Sequence, residues 1–141
     1  MGSEMCIRDR FPHAALITPN SLESRWLAAR DDLNDALAHL HDLGAKAILL
    51  KGGHEPGNMI RNVLSVDGKT VQTSQWPRLP HEYHGSGCTL ASAIAGALAR
   101  GLALPVAVTR AEVWLQSTLT DADLPHADGQ AIPKRVRSDF A

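Results

Sequence analysis

Short apolar runs alternate with amphipathic stretches along this chain, and glycine or proline cuts off each run. Ala14-Ala15-Leu16-Ile17 stops at Thr18-Pro19-Asn20, which predicts a buried strand ending in a turn, because proline cannot donate to a sheet ladder. Asn20 or Ser21 can then cap a helix, with Glu23 in its first turn near the positive end of the dipole. Leu33, Ala36, Leu37 and Leu40 recur at helical spacing, so a second helix is expected from about Asp31 to Leu43, stopped by Gly44. Lys46 to Leu50 is again short, branched and apolar. Helix, glycine and buried strand thus follow one another as in a parallel α/β unit, and the strand ends at Lys51-Gly52-Gly53-His54. Residues 62 to 73 alternate around Asp67-Gly68, a dipeptide that tolerates positive φ and predicts an antiparallel hairpin. An irregular connection through Trp76, Pro77 and Pro80 leads to a stretch from Thr89 to Arg100 made almost wholly of Ala, Leu, Ile, Ser and Gly. That composition suits a tightly packed helix closed by Gly101. A last helix is expected from Pro105 to about Leu119, and beyond Thr120 the fading apolar period predicts a loosely held tail. MGSEMCIRDR, residues 1–10, has the period of neither element and is set apart from the fold, Cys6 with it.

Composition narrows the class of molecule. At 141 residues, 44% of them hydrophobic, the chain has enough apolar surface for one core. Its 14 basic and 15 acidic side chains leave a formal charge of −1, without the basic surplus that draws nucleic acid or an anionic membrane. No apolar run approaches the roughly 20 residues that cross a bilayer, and no secretory leader is visible. A cytoplasmic setting is expected, where two cysteines are thiols rather than a disulfide framework.

Three predicted strand ends carry the candidate chemistry, since ligands of parallel α/β sheets bind outside the carboxyl ends of the strands. The richest is Gly85-Ser86-Gly87-Cys88. Its glycines let backbone amides approach an oxyanion, and the helix that follows points its positive end at the same spot. A thiol at such a start gains as thiolate from the dipole, although a cysteine after Gly-x-Gly is equally readable as a small buried hydrophobe beside a close-packed helix. Lys51 can neutralise phosphate or be simply solvated. Asn20 and Glu23 can hold a hydrated magnesium ion, or be a plain helix cap. His81 and His84 near Cys88 raise the thought of zinc, but no tetrahedral set with ordinary spacing appears.

Taken together, LITPNSLE at 16–23, GAKAILLKGGH at 44–54 and HGSGCTLASAIAGALARG at 84–101 resemble the ribokinase superfamily. Within it they resemble the hydroxymethylpyrimidine and phosphomethylpyrimidine kinases of thiamine biosynthesis. The cysteine of Gly-Ser-Gly-Cys-Thr is the most specific element, because most of the superfamily carries aspartate there. The resemblance covers Phe11 to about Leu119 and implies a three-layer α/β/α ribokinase-like sheet, of which this chain holds the carboxy-terminal half. It implies an ATP- and Mg2+-dependent phosphotransferase acting on a small molecule. Cys88 falls on the general base, Gly85, Ser86 and Gly87 on the anion hole, and Lys51, Gly52 and Gly53 on the nucleotide side. Asn20 and Glu23 fall on a motif whose glutamate places magnesium through water. A homodimer is open at full length, while nucleic acid and membrane are not expected as partners.

Two departures stand out. Tyr83 replaces a small hydroxyl residue common in relatives, and Ser86 stands where threonine is common. Kinases of this family are also longer, and their amino-terminal half holds most of the substrate pocket, so the chain alone is expected to be nearly inactive. Competing readings are a pyridoxal kinase, a non-catalytic ligand-sensing domain of the same fold, and a hydrolase using Cys88 as nucleophile with His84.

Overall fold

The computed structural model describes residues 6–125 and 129–136. The chain divides into two compact units, Met1–Arg78 and Leu79–Ala141.

In the first unit residues 6–8 are helical and Arg8 Nη2 donates to Leu27 O at 2.6 Å; a 3-10 turn, Phe11–His13, follows, with Phe11 buried. The expected strand at 14–17 is reduced to an extended edge. Ile17 donates its N–H to Ala47 O at 3.0 Å and accepts from Leu49 at 2.9 Å, and Pro19 O accepts from Lys51 at 2.9 Å. This pairing is parallel. It is brief because Pro19 has no N–H to return, and it leaves Leu16 and Ile17 half-buried rather than buried.

Helix α1, Ser21–Ala28, follows at once because Asn20 caps it, and helix α2, Leu33–Asp42, is capped by Asp32. The Asp32 carboxylate accepts from the N–H of Asn34 at 2.8 Å and of Asp35 at 3.0 Å. Such caps contribute about 1 kcal/mol each. At Gly44 the chain turns with φ 101°, and a Cβ there would lie 2.7 Å from Pro12 Cγ. Only glycine suits both conditions.

Strand β1, Ala47–Lys51, is buried over its first four residues, as expected of a strand covered on both faces. Two helices thus connect the edge at Ile17 to its parallel neighbour β1. Antiparallel additions complete a three-stranded sheet in the order β1-β2-β3, with β2 at Met59–Val66 and β3 at Lys69–Pro77. The hairpin turns on Asp67 at φ 49° and Gly68 at φ 77°, the two positive φ values of a type I′ turn. Trp76 and Pro77 were expected in an irregular connection. They instead extend β3, since β2 starts early enough for Ile60 and Met59 to face them. Pro77 ends an edge strand, where a missing donor is tolerated. Phe11, Leu27, Ala28, Ala36, Leu40, Ala45 and Ile48 form the core of this unit, and each large aliphatic among them contributes roughly 1.5–3 kcal/mol by burial.

In the second unit, α3, Ser86–Ala99, packs on α4, Leu104–Thr120. The buried faces mix small and large aliphatic residues: Leu90, Ala93, Ile94 and Ala97 on α3, Ala107, Val108 and Ala111 on α4. Helix α3 starts three residues before the expected Thr89, so Ser86, Gly87 and Cys88 form its first turn. Beyond α4, described residues between 129 and 136 make backbone bonds to earlier segments. Ala131 N–H donates to Glu82 O at 2.7 Å, Ala131 O accepts from His84 at 3.0 Å, and Lys134 N–H donates to Thr118 O at 3.0 Å. Among the described residues no helix is long and apolar enough to cross a membrane. The α/β class expected from the sequence is the class observed.

Candidate functional site

The site residues named from the sequence fall into two groups, one in each unit. In the first unit Asn20 and Lys51 are bridge partners at neighbouring strand ends. Asn20 Oδ1 accepts from Glu23 N–H and Glu23 Oε2 accepts from Asn20 N–H, both at 2.8 Å. This capping box engages one carboxylate oxygen of an otherwise exposed Glu23 and sets the start of α1.

After Lys51 the glycines differ in what they permit. A Cβ on Gly52 would lie 2.2 Å from Arg61 O, while nothing lies near one on Gly53. Gly52 N–H donates to Asn62 Oδ1 at 3.1 Å, and Gly52 O accepts from Glu55 N–H at 3.0 Å. Two arginines then fix the loop. Arg25 on α1 holds the Glu55 carboxylate in a fork at 2.7 and 3.0 Å. The fork holds the Glu55 carboxyl down to about 2 and raises the Arg25 guanidinium. Arg78 spreads over three carbonyls, donating from Nη1 to Gly53 O at 2.6 Å, from Nη2 to Glu55 O at 2.5 Å and from Nε to Gly57 O at 2.8 Å. Sequence reasoning missed Arg25, Glu55 and Arg78, because contacts across 30 and about 25 positions leave no periodic signal.

In the second unit Gly85 caps α3 at φ 78°, a conformation that side chains resist. Thr89 returns both its N–H, at 3.0 Å, and its Oγ1, at 2.8 Å, to Gly85 O. No acidic residue stands in the first turn, and the early amides of a helix have no partner within it. Cys88 is a free, exposed thiol, which removes the reading of it as a buried hydrophobe. It opens on a cavity of about 370 Å³ lined by Cys88, Thr89, Ser92, Ala93, Trp114 and Arg135. Arg135 Nε donates to Thr89 Oγ1 at 2.8 Å, and its guanidinium comes within 2.6 Å of the place a Gly85 Cβ would take. Arg135 carried no signal in the sequence, because it lies in a segment without apolar period. Burial pushes the Tyr83 phenol up, and its ring meets His81 edge-on at 6.3 Å. Among the described residues no three His, Cys, Asp or Glu side chains gather to hold a metal ion.

Each unit thus carries its own candidate place for an anion, a glycine-lined helix start with a thiol beside it in the second and a lysine strand end with a braced glycine loop in the first. Comparison with known proteins gives it a context. Residues 2–132 match the family model described as phosphomethylpyrimidine kinase, a span that includes residues 2–10 and continues past Leu119. The thiamine biosynthesis bifunctional protein ThiED of Geobacter sulfurreducens is 37% identical over 125 residues, 84% of this chain and 25% of that one. The hydroxymethylpyrimidine/phosphomethylpyrimidine kinase of Streptomyces coelicolor is 37% identical over 115 residues, 77% of this chain and 42% of that one. The chain therefore spans less than half the length of either relative. Among solved structures, the Staphylococcus aureus pyridoxal kinase in complex with AMP-PCP matches with a TM-score of 0.86 at 22% identity, over 95% of this chain and 52% of that one. An ADP complex of Bacillus subtilis pyridoxal kinase gives 0.81 at 23%, over 92% and 54%. These two likenesses show the fold.

Proposed function

Since the chain belongs to the phosphomethylpyrimidine kinase family, we propose that it is the carboxy-terminal half of a cytoplasmic, ATP-dependent kinase of hydroxymethylpyrimidine and its monophosphate. The observation that carries this reading is the first turn of α3, where Gly85 at φ 78° opens a helix without acidic residues and Cys88 stands exposed.

Phosphoryl transfer asks a protein mainly to align donor and acceptor and to neutralise charge spreading over the γ-oxygens. The amides of Ser86, Gly87 and Cys88, at the positive end of a 14-residue helix, suit that charge. Gly85 sets their direction. As the acceptor hydroxyl attacks the γ-phosphorus, Cys88 as thiolate takes its proton, the bond to the β-phosphate oxygen breaks, and ADP leaves. Lys51 supplies a cation on the nucleotide side, with Gly52 and Gly53 keeping the loop close to it. The Glu23 oxygen outside the capping box is a hard anionic ligand suited to the water shell of magnesium. Magnesium, when bound, would neutralise nucleotide phosphate charge.

The full-length protein, given ATP, is expected to phosphorylate hydroxymethylpyrimidine and its monophosphate faster than pyridoxal, measured side by side as ADP release. The 141-residue chain assayed alone is expected to show little turnover. A clear preference for pyridoxal would move the substrate to the alternative suggested by the structural likenesses. Binding without turnover at full length would favour a ligand sensor.

A further inference from the structure

The loop after β1 is organised around one cation. Arg78 gathers the carbonyl oxygens of Gly53, Glu55 and Gly57, and its own N–H donates to Asn58 O at 2.9 Å. Its guanidinium has no carboxylate partner among the described residues, for the neighbouring Glu55 carboxylate is engaged by Arg25. The loop therefore carries an uncompensated positive charge on one side.

What the other side presents follows from peptide geometry. The described residues contain no cis peptide bonds, and in a trans peptide the carbonyl and the N–H that follows it point opposite ways. With Gly53 O and Gly57 O turned onto Arg78, the N–H groups of His54 and Asn58 must turn away from it. Between them Pro56 contributes no donor. Neither N–H is used in the hydrogen bonds that close the loop. The arrangement is two outward amides above a cation, a combination that favours an anion.

We propose that Arg78 is a positioning residue for nucleotide binding: by collecting three carbonyls it aims the His54 and Asn58 amides at phosphate oxygens of a nucleoside triphosphate. The proposal rests on the kinase reading of the Lys51 loop and adds to it residues that the resemblance did not assign. Arg78 acts through the backbone and does not touch the nucleotide. Lysine is a poor substitute, because one ammonium lacks the planar fork that spans separate acceptors.

The test is an AMP-PCP titration of the full-length protein followed by amide NMR, joined to steady-state kinetics of Arg78→Met and Arg78→Lys. Expected are shifts of the His54 and Asn58 amide resonances on titration. In Arg78→Met the KM for ATP should rise by about tenfold, the scale of one lost charge-assisted contact, with kcat nearly unchanged, as for a loss of uniform binding. Arg78→Lys should recover little of that affinity. A purely structural arginine would instead lower thermal stability and leave the KM for ATP in place. AMP-PCP binding that shifts neither amide overturns this proposal alone, even if both variants fail to fold. Failure of the wild-type protein to bind AMP-PCP at all overturns the kinase reading and this proposal with it.

Discussion

Cys88 occupies the third position of α3, exposed, with Thr89 beside it bonded back to the capping glycine. A thiol kept for packing is usually covered, and this one is exposed. If it takes the proton of the acceptor hydroxyl, Cys88→Ala should lower kcat by roughly 10²–10⁴-fold, the usual worth of a positioned base. The KM for ATP should stay within about twofold, because the amides that meet phosphate remain. Steady-state kinetics of the full-length variant against wild type, with kcat and KM reported separately, checks both. An unchanged kcat would remove Cys88 from the base role.

Among the elements, the Arg25–Glu55 fork joins α1 to the loop after β1 through side chains about a third exposed. Glu55 has a folded value of about 2 against 4.5 for the free group, a depressed carboxyl. Its contribution to stability is therefore whole above about pH 4.5 and lost as the pH falls toward 2. Glu55→Gln should lower the melting temperature near neutral pH by only a degree or two, on the order expected of a solvent-screened pair. The gap to wild type should close between pH 4.5 and 2, followed by circular dichroism melts across that window. A gap that persists at pH 2 would show that the fork is not its source.

Elements of this kind also mark where the sequence was legible. Helix α2 was visible because Leu33, Leu37 and Leu40 repeat at helical spacing, and the hairpin because Asp67-Gly68 fits a two-residue turn. Local chemistry decided both. The edge at Ile17 was overestimated, since an apolar run does not reveal that among the described residues it pairs with β1 alone and only briefly. Arg25, Glu55 and Arg78 were invisible for a related reason. Their bonds depend on how distant segments meet, and arginine or glutamate on a polar stretch looks the same whether solvated or clamped.

At the scale of the whole molecule, the candidate residues divide between the two units. Asn20, Glu23 and Lys51 belong to the first unit, and Gly85 to Cys88 to the second. Each group is shaped by residues of its own unit, so damage to one should be separable from damage to the other. In the second unit the segment from Gly129 to Val136 supplies Ala131 to the backbone of Glu82 and His84, and Arg135 to Thr89. A full-length protein ending at Pro125 loses all of these. It should lose most of its kinase activity while retaining a folded first unit, which activity measurement together with hydrogen exchange on β1 and α2 would show. Full activity in that shortened protein would make the segment dispensable. A gene carrying a premature stop codon near its 3′ end would escape notice in a genome survey, because every recognisable motif lies upstream of it. The bonds of Arg135 and Ala131 imply that such an allele should be scored as a null.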